Sequence, residues 1–233
     1  MDVLKAAQIV HDEGIAIPVL LGNREVILEL KAEIDFDADV EIIDPKSKEQ
    51  IEQVNAYAEL YWKSRKRKGI TLFDAKKLLR QRDYFAAMMV NEGDAHGMLS
   101  GHSRSYPSVV KPLLGVIGPA KGVQKVAACN LMITSRGPLF LADTSINIDP
   151  TAKELANIAH MTATTVKMFG LEPVVAMTSY ANFGSSGNEK ATKVGEAVAY
   201  LHRFHPDLIV DGCLLYTSPS PRDQRGSRMP SSA

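Results

Sequence analysis

Short apolar runs alternate with longer stretches of helical period, and this alternation most restricts how the chain can fold. Ile15 to Leu21 is such a run, closed by Gly22; Val40 to Asp44, Pro173 to Thr178 and Leu208 to Asp211 are others. Apolar runs of this length without polar alternation are typical of strands buried on both faces. Between them lie helical segments: 2–14, 24–31, 47–66, 71–80, 84–90, 107–117, 151–169 and 189–204. Gly14, Gly69, Gly93 and Gly170 stand where such helices must stop, because glycine adopts the left-handed conformation of a helix end without steric cost. Helix and strand in alternation predict an α/β fold with parallel pairing. A strand normally precedes the first helix in this class, so a missing first strand before Met1 is expected.

Local chemistry refines the pattern. Thr71-Leu-Phe-Asp74 reads as a capping box with Asp in place of Glu. Gly97 to Leu99 reads as a short buried strand. Val126 to Thr134 and Pro138 to Asp143 read as a hairpin turning at Ser135-Arg136-Gly137, with Cys129 as buried packing. Gly118-Pro119 and Gly122 break the pattern. This predicts a first α/β domain over 1–120 and a second over 121–212.

From Cys213 the chain loses all period and fills with proline, serine and arginine. Such a stretch reads as a disordered tail or, because residues 213–233 back-translate into a sequencing adapter, as an artefact; the artefact is the expectation, and the residues are left out of the fold.

Composition excludes several classes. Formal net charge is 0, which gives no nucleic-acid footprint and little attraction to anionic membranes. No apolar run approaches the ~20 residues that cross a bilayer, and Met1 to Lys5 does not open a signal peptide. The 2 cysteines have no paired spacing, as expected in a reducing cytoplasm. No phosphate loop and no G-x-G-x-x-G follows a strand. His202 and His205 read as surface residues, and His160 as a core or rim residue.

Two segments carry candidate binding chemistry. Ser100-Gly101 is followed by His-Ser-Arg104-Ser-Tyr106 and by Pro107 at a helix start. A small-residue turn feeding a helix N-terminus suits an anion; an ordinary polar turn with Pro107 at the first helical position fits somewhat better on these residues alone. Lys63 to Lys68 is strongly basic, consistent with a solvated helix end or with an anion site.

The segment Ser100-Gly-His-Ser-Arg-Ser-Tyr-Pro-Ser-Val-Val-Lys-Pro112 resembles the signature of the phosphate acetyl/butyryl transferase family. The resemblance continues through Leu141 to Ala152, Glu172 to Ser179 and Pro206 to Gly212. Ser179-Tyr-Ala-Asn-Phe-Gly-Ser-Ser186 looks like the branch fused to bacterial NADP-dependent malic enzymes. The resemblance implies a two-domain, three-layer α/β/α fold of the isocitrate/isopropylmalate dehydrogenase kind, here truncated at both ends. It implies acyl-CoA or acyl phosphate as ligand, with acetyl-CoA foremost, and a homodimer formed through the second domain. Arg65, Ser100, Gly101, Arg104, Lys111 and Ser179 are the implied ligand-binding residues. Lys111 departs from the family's arginine, keeping the charge and losing the bidentate fork. The family's catalytic serine, arginine and aspartate lie beyond Gly212, so no catalytic residue is assigned. In the malic-enzyme branch this part implies an acyl-CoA-sensing, oligomerising domain. NADP and a divalent metal would then serve the malate-oxidising part elsewhere. The alternative is a stand-alone phosphate acetyltransferase.

Overall fold

The computed structural model describes residues 1–102, 104–123, 125–179 and 188–214, with residues 213 and 214 described as backbone only. It is a mixed α/β chain that divides into two compact units, Met1–Ala120 and a second beginning at Lys121.

The first unit contains α1 (Asp2–Asp12), β1 (Leu20–Leu21), α2 (Arg24–Glu33), β2 (Ile42–Ile43), α3 (Ile51–Arg65), α4 (Leu72–Leu79), α5 (Arg82–Glu92) and α6 (Tyr106–Val116). A single turn of 3-10 helix, Lys66–Lys68, follows α3. β1 and β2 pair in parallel, Leu20 opposite Ile42. The main core joins Val54, Tyr57, Ala58 and Tyr61 of α3 to Ala75 and Leu79 of α4 and to Tyr84, Phe85, Met88 and Met89 of α5. Thr71 and Asp74 form the predicted capping box of α4, each side chain bonding to the other's backbone. Gly93 ends α5 at φ +87°, a conformation costly for any side chain with a Cβ.

Three strand expectations change here. The two parallel strands shrink to two residues each, and Ile15 and Ile17 are exposed. Gly97 to Leu99 forms no strand, and Leu99 is fully exposed. Hydrophobic character marks a strand only where a neighbouring backbone offers hydrogen bonds, and residues 97–99 pair with no strand among the described residues. Cys129 is exposed rather than buried.

The second unit holds β3 (Cys129–Thr134), β4 (Gly137–Ala142), α7 (Ala152–Met168), β5 (Val174–Ser179), α8 (Glu189–Phe204) and β6 (Ile209–Leu214). β3 and β4 form the predicted antiparallel hairpin. β5 and β6 pair in parallel, Val174 opposite Ile209 and Ser179 opposite Leu214. β6 therefore runs two residues past the boundary expected at Gly212. Alternation along β5 leaves Val174, Ala176 and Thr178 exposed, while Met177 and Ser179 are buried. Met177 and Val210 share a core with Ala156 and Ala159 of α7 and Ala197, Val198 and Leu201 of α8. Among the described residues each sheet has two strands, and those of β5 and β6 are covered on one face.

Candidate functional site: the Ser100–Arg104 turn

The loop between α5 and α6 gathers the polar chemistry of the first unit. α5 presents an apolar flank of Tyr84, Phe85, Ala87, Met88 and Met89, with one acid, Asp83, 6% exposed beside it. Isolating a carboxylate there would cost several kcal/mol, on the order of the penalty for any unpaired buried charge. The turn resolves this. Ser100 Oγ donates to Asp83 Oδ1 at 2.7 Å, and Arg104 NH1 pairs with Asp83 Oδ2 at 2.9 Å. Between them Gly101 sits at φ +131° and its carbonyl accepts from the Arg104 amide at 2.7 Å. Tyr57 of α3 donates a short hydrogen bond to Asp94 at the start of the same loop. Burial, and then that bond, push the Tyr57 phenol above its ordinary pKa.

α6 begins at Tyr106, two residues after Arg104. Its N-cap, Ser105, makes no side-chain capping bond, and Pro107 occupies its first turn. The helix dipole favours negative charge at this end.

Arg65 lies at the other end of α6. Its Nε donates to the Gly115 carbonyl at 2.7 Å and its NH2 to the Leu114 carbonyl at 2.9 Å. These are carbonyls of the last turn, which lack helical partners. Gly115 allows the helix to approach closely, since a Cβ there would stand 3.4 Å from Tyr61 Oη. Gly115 lies nine residue steps along the helix from Tyr106, about 13 Å. Arg65 and Arg104 thus serve opposite ends of one helix. A small anion cannot touch both through these anchor points, whereas an extended polyphosphate ligand has the reach. Lys111 is exposed on α6 between them and forms no ion pair among the described residues.

The remaining predicted residues fall elsewhere. Lys63, Lys66, Arg67 and Lys68 are exposed, with Lys66 over the Trp62 ring at 5.6 Å. Ser179 is buried at the end of β5 in the second unit. The glycine-rich loop 180–187 lies outside the described residues. His202 is exposed, with Nε2 2.9 Å from the Val210 carbonyl. His160 is exposed and stacks on His205 with centroids 3.9 Å apart; burial and then His205 lower its pKa.

A second polar knot closes the hairpin. Asp143 Oδ1 accepts from the amides of Ala128, Ser145 and Ile146, and Oδ2 from the amide and side chain of Asn147. Burial pushes this carboxyl upward, but the bonds from Ser145, Asn147 and Ile146 outweigh it and hold the pKa at about 2. The knot orders the 143–149 turn, which leads into the Thr151–Glu154 capping box of α7.

Sequence reading missed Asp83, Tyr57 and Asp94. The signal for Asp83 was present: an acid beside the apolar flank of a helix demands a donor.

A turn of Ser100, Gly101 and Arg104 leading into a helix N-terminus suits an anionic group. The comparisons narrow this. The family model described as phosphate acetyl/butaryl transferase matches residues 1–233, and the chain belongs to that family. The phosphate acetyltransferase of Synechocystis sp. is 36% identical over 99% of this chain and 33% of its own length. The NADP-dependent malic enzyme of Salmonella typhimurium is 35% identical over 99% of this chain and 31% of its own. The phosphate acetyltransferase of Thermoanaerobacterium thermosaccharolyticum is 38% identical over 90% of this chain and 65% of its own. The crystal structure of a phosphotransacetylase from Streptococcus pyogenes superposes with a TM-score of 0.80 at 35% identity, covering 99% of this chain and 70% of that one. The chain thus spans about a third of the longer curated relatives and about two thirds of the shorter one.

Proposed function

We propose that this chain is an acyl-CoA-binding domain of phosphotransacetylase type. In this reading the ligand's phosphates lie along α6, between the Ser100–Arg104 turn and the Arg65 end. The observation that carries it is the placement of Ser100 and Arg104, fixed together on Asp83 at a helix N-terminus with no side-chain cap. Lys111 adds charge midway, and Gly101 leaves room for close approach: a Cβ there would meet nothing within 4 Å. Ser179, at the end of β5, is the residue of the second unit that the family resemblance names as ligand-binding.

The parent protein in this reading is a cytoplasmic malic enzyme. The chain is its acetyl-CoA-sensing and homo-oligomerising part, with the two-domain fold of isocitrate and isopropylmalate dehydrogenases. Lys111 and the Asn182-Phe-Gly-Ser185 segment favour that branch. Among the described residues no three His, Cys, Asp or Glu side chains converge on a metal site. In this reading NADP and a divalent metal serve the malate-oxidising part. The second reading, a phosphate acetyltransferase, is favoured by relatives of that name covered over 65% or more of their length.

Calorimetric titration of acetyl-CoA tests the binding reading. Arg104→Glu is expected to weaken binding at least about tenfold, or ~1.4 kcal/mol. Unchanged affinity would remove the turn from the site. Formation of acetyl phosphate from acetyl-CoA and phosphate by the purified chain would decide for the transferase.

A further inference from the structure

Asp83 has no role in the family resemblance, yet both anchored residues of the turn depend on it. It lies on α5, whose neighbouring side chains Tyr84, Phe85, Met88 and Met89 are locked in the aromatic core. Its two oxygens are divided, Oδ1 taking the Ser100 hydroxyl and Oδ2 the Arg104 guanidinium. The carboxylate therefore cannot rotate toward one partner without releasing the other. The donors are the two ends of a single turn, four residues apart. Arg104 uses NH1 for this bond and keeps its other N–H donors available. The Tyr57–Asp94 bond ties the beginning of the same loop to α3. A loop of exposed residues, Leu99 and Ser100 among them, is thereby attached at both ends to rigid helices.

We propose that Asp83 is a positioning residue: it holds Ser100 and Arg104 together before ligand arrives, so that they meet a phosphate-bearing ligand as one preformed unit. Prior ordering removes the entropy cost of fixing two exposed side chains on binding. The inference rests on the acyl-CoA reading of the turn.

The test uses the full chain, with acetyl-CoA as probe and amide hydrogen exchange over residues 94–105 as a readout that needs no ligand. Asp83→Asn keeps the shape and removes the charge. It is expected to weaken acetyl-CoA binding at least about fivefold and to raise exchange in the loop, while α3 and α4 stay protected. Ser100→Ala, which removes one bond at an exposed site, is expected to cost about two- to fivefold. Made in the Asp83→Asn background, it should add less than about twofold, because its partner is already gone. A residue that merely stabilised α5 would leave the two losses additive, and additivity overturns the proposal. If Arg104→Gln abolishes binding while Asp83→Asn binds like the wild type, Asp83 does not position the turn and the acyl-CoA reading stands. If Arg104→Gln binds like the wild type, the acyl-CoA reading fails. Loop exchange then decides alone: a turn that stays protected in Asp83→Asn sinks the positioning role. Should Asp83→Asn not fold, Ser100→Ala carries the test, and unchanged affinity together with unchanged exchange overturns it.

Discussion

The α3–α5 core and the β3–β4 hairpin are both local structures, and they bury opposite amounts of themselves. In the core, Phe85, Leu79, Ala75 and Ala58 have no exposed surface, and Tyr57 tilts against Phe85 with centroids 5.2 Å apart. In the hairpin, no residue of either strand is buried, and Ile133 is 80% exposed. The core is held by packing. The hairpin is held by its ladder, its turn and the Asp143 knot at its open end. Similar apolar content therefore has very different energetic weight in the two places.

Truncation in the core should show the largest effect. Phe85→Ala is expected to lose about 3–5 kcal/mol, read by urea unfolding through Trp62, the single tryptophan and a residue of α3. Ile133→Ala should change stability by less than about 0.5 kcal/mol, followed by ellipticity. Equal losses at the two sites would break the contrast and mean that something covers the hairpin.

Arg65 comes next. Its two bonds to the last carbonyls of α6 tie that helix to α3. Arg65→Ala should cost about 2 kcal/mol, and Arg65→Lys should recover less than half of it, since an ammonium cannot reproduce the fork. Full recovery by lysine would show that charge at the helix end, not the paired bonds, is what matters.

The capping boxes allow a matched comparison between the units. Thr71→Ala and Thr151→Ala remove the same bond from α4 and α7. Each should cost about 1 kcal/mol, measured as the shift in the urea midpoint. A much smaller loss at Thr151 would mark the start of α7 as already frayed.

These examples show what was legible. The Thr71–Asp74 capping box, the turn at Ser135-Arg136 and the stop at Gly93 are local, and each works through a few neighbouring residues, so the sequence discloses them. Parallel strands are different, because their length depends on a distant partner. The apolar run at Ile15–Leu21 supplied only two ladder residues. Cys129 was misjudged for a related reason: a strand pattern does not say whether anything covers it. In the candidate site, Ser100 and Arg104 were visible as a turn before a helix. Asp83, seventeen residues earlier than Ser100, becomes a partner only once α5 and the loop are folded. The same folding turns Arg65 toward α6 carbonyls, a role that its basic surroundings did not suggest.

The smallest expected effect is the pH response of the Asp143 knot. Its carboxyl is held at about 2 in the folded chain, against about 3.9 when unfolded. The depressed value means that the ionised form is favoured by folding. Its contribution is fully present above about pH 4 and is lost as pH falls through about 2. The residue is only partly buried, so solvent screening reduces the contribution to about 1 kcal/mol or less. The stability difference between wild type and Asp143→Asn should therefore be constant from pH 7 to 5 and shrink between pH 4 and 2. Hydrogen exchange at the Ser145, Ile146 and Asn147 amides is the local readout, because these are the donors the carboxylate holds. A difference that does not change over that range would mean the knot is held by its geometry and not by its charge. The hairpin would then resemble the core in being indifferent to acid, and the two regions would differ in burial alone.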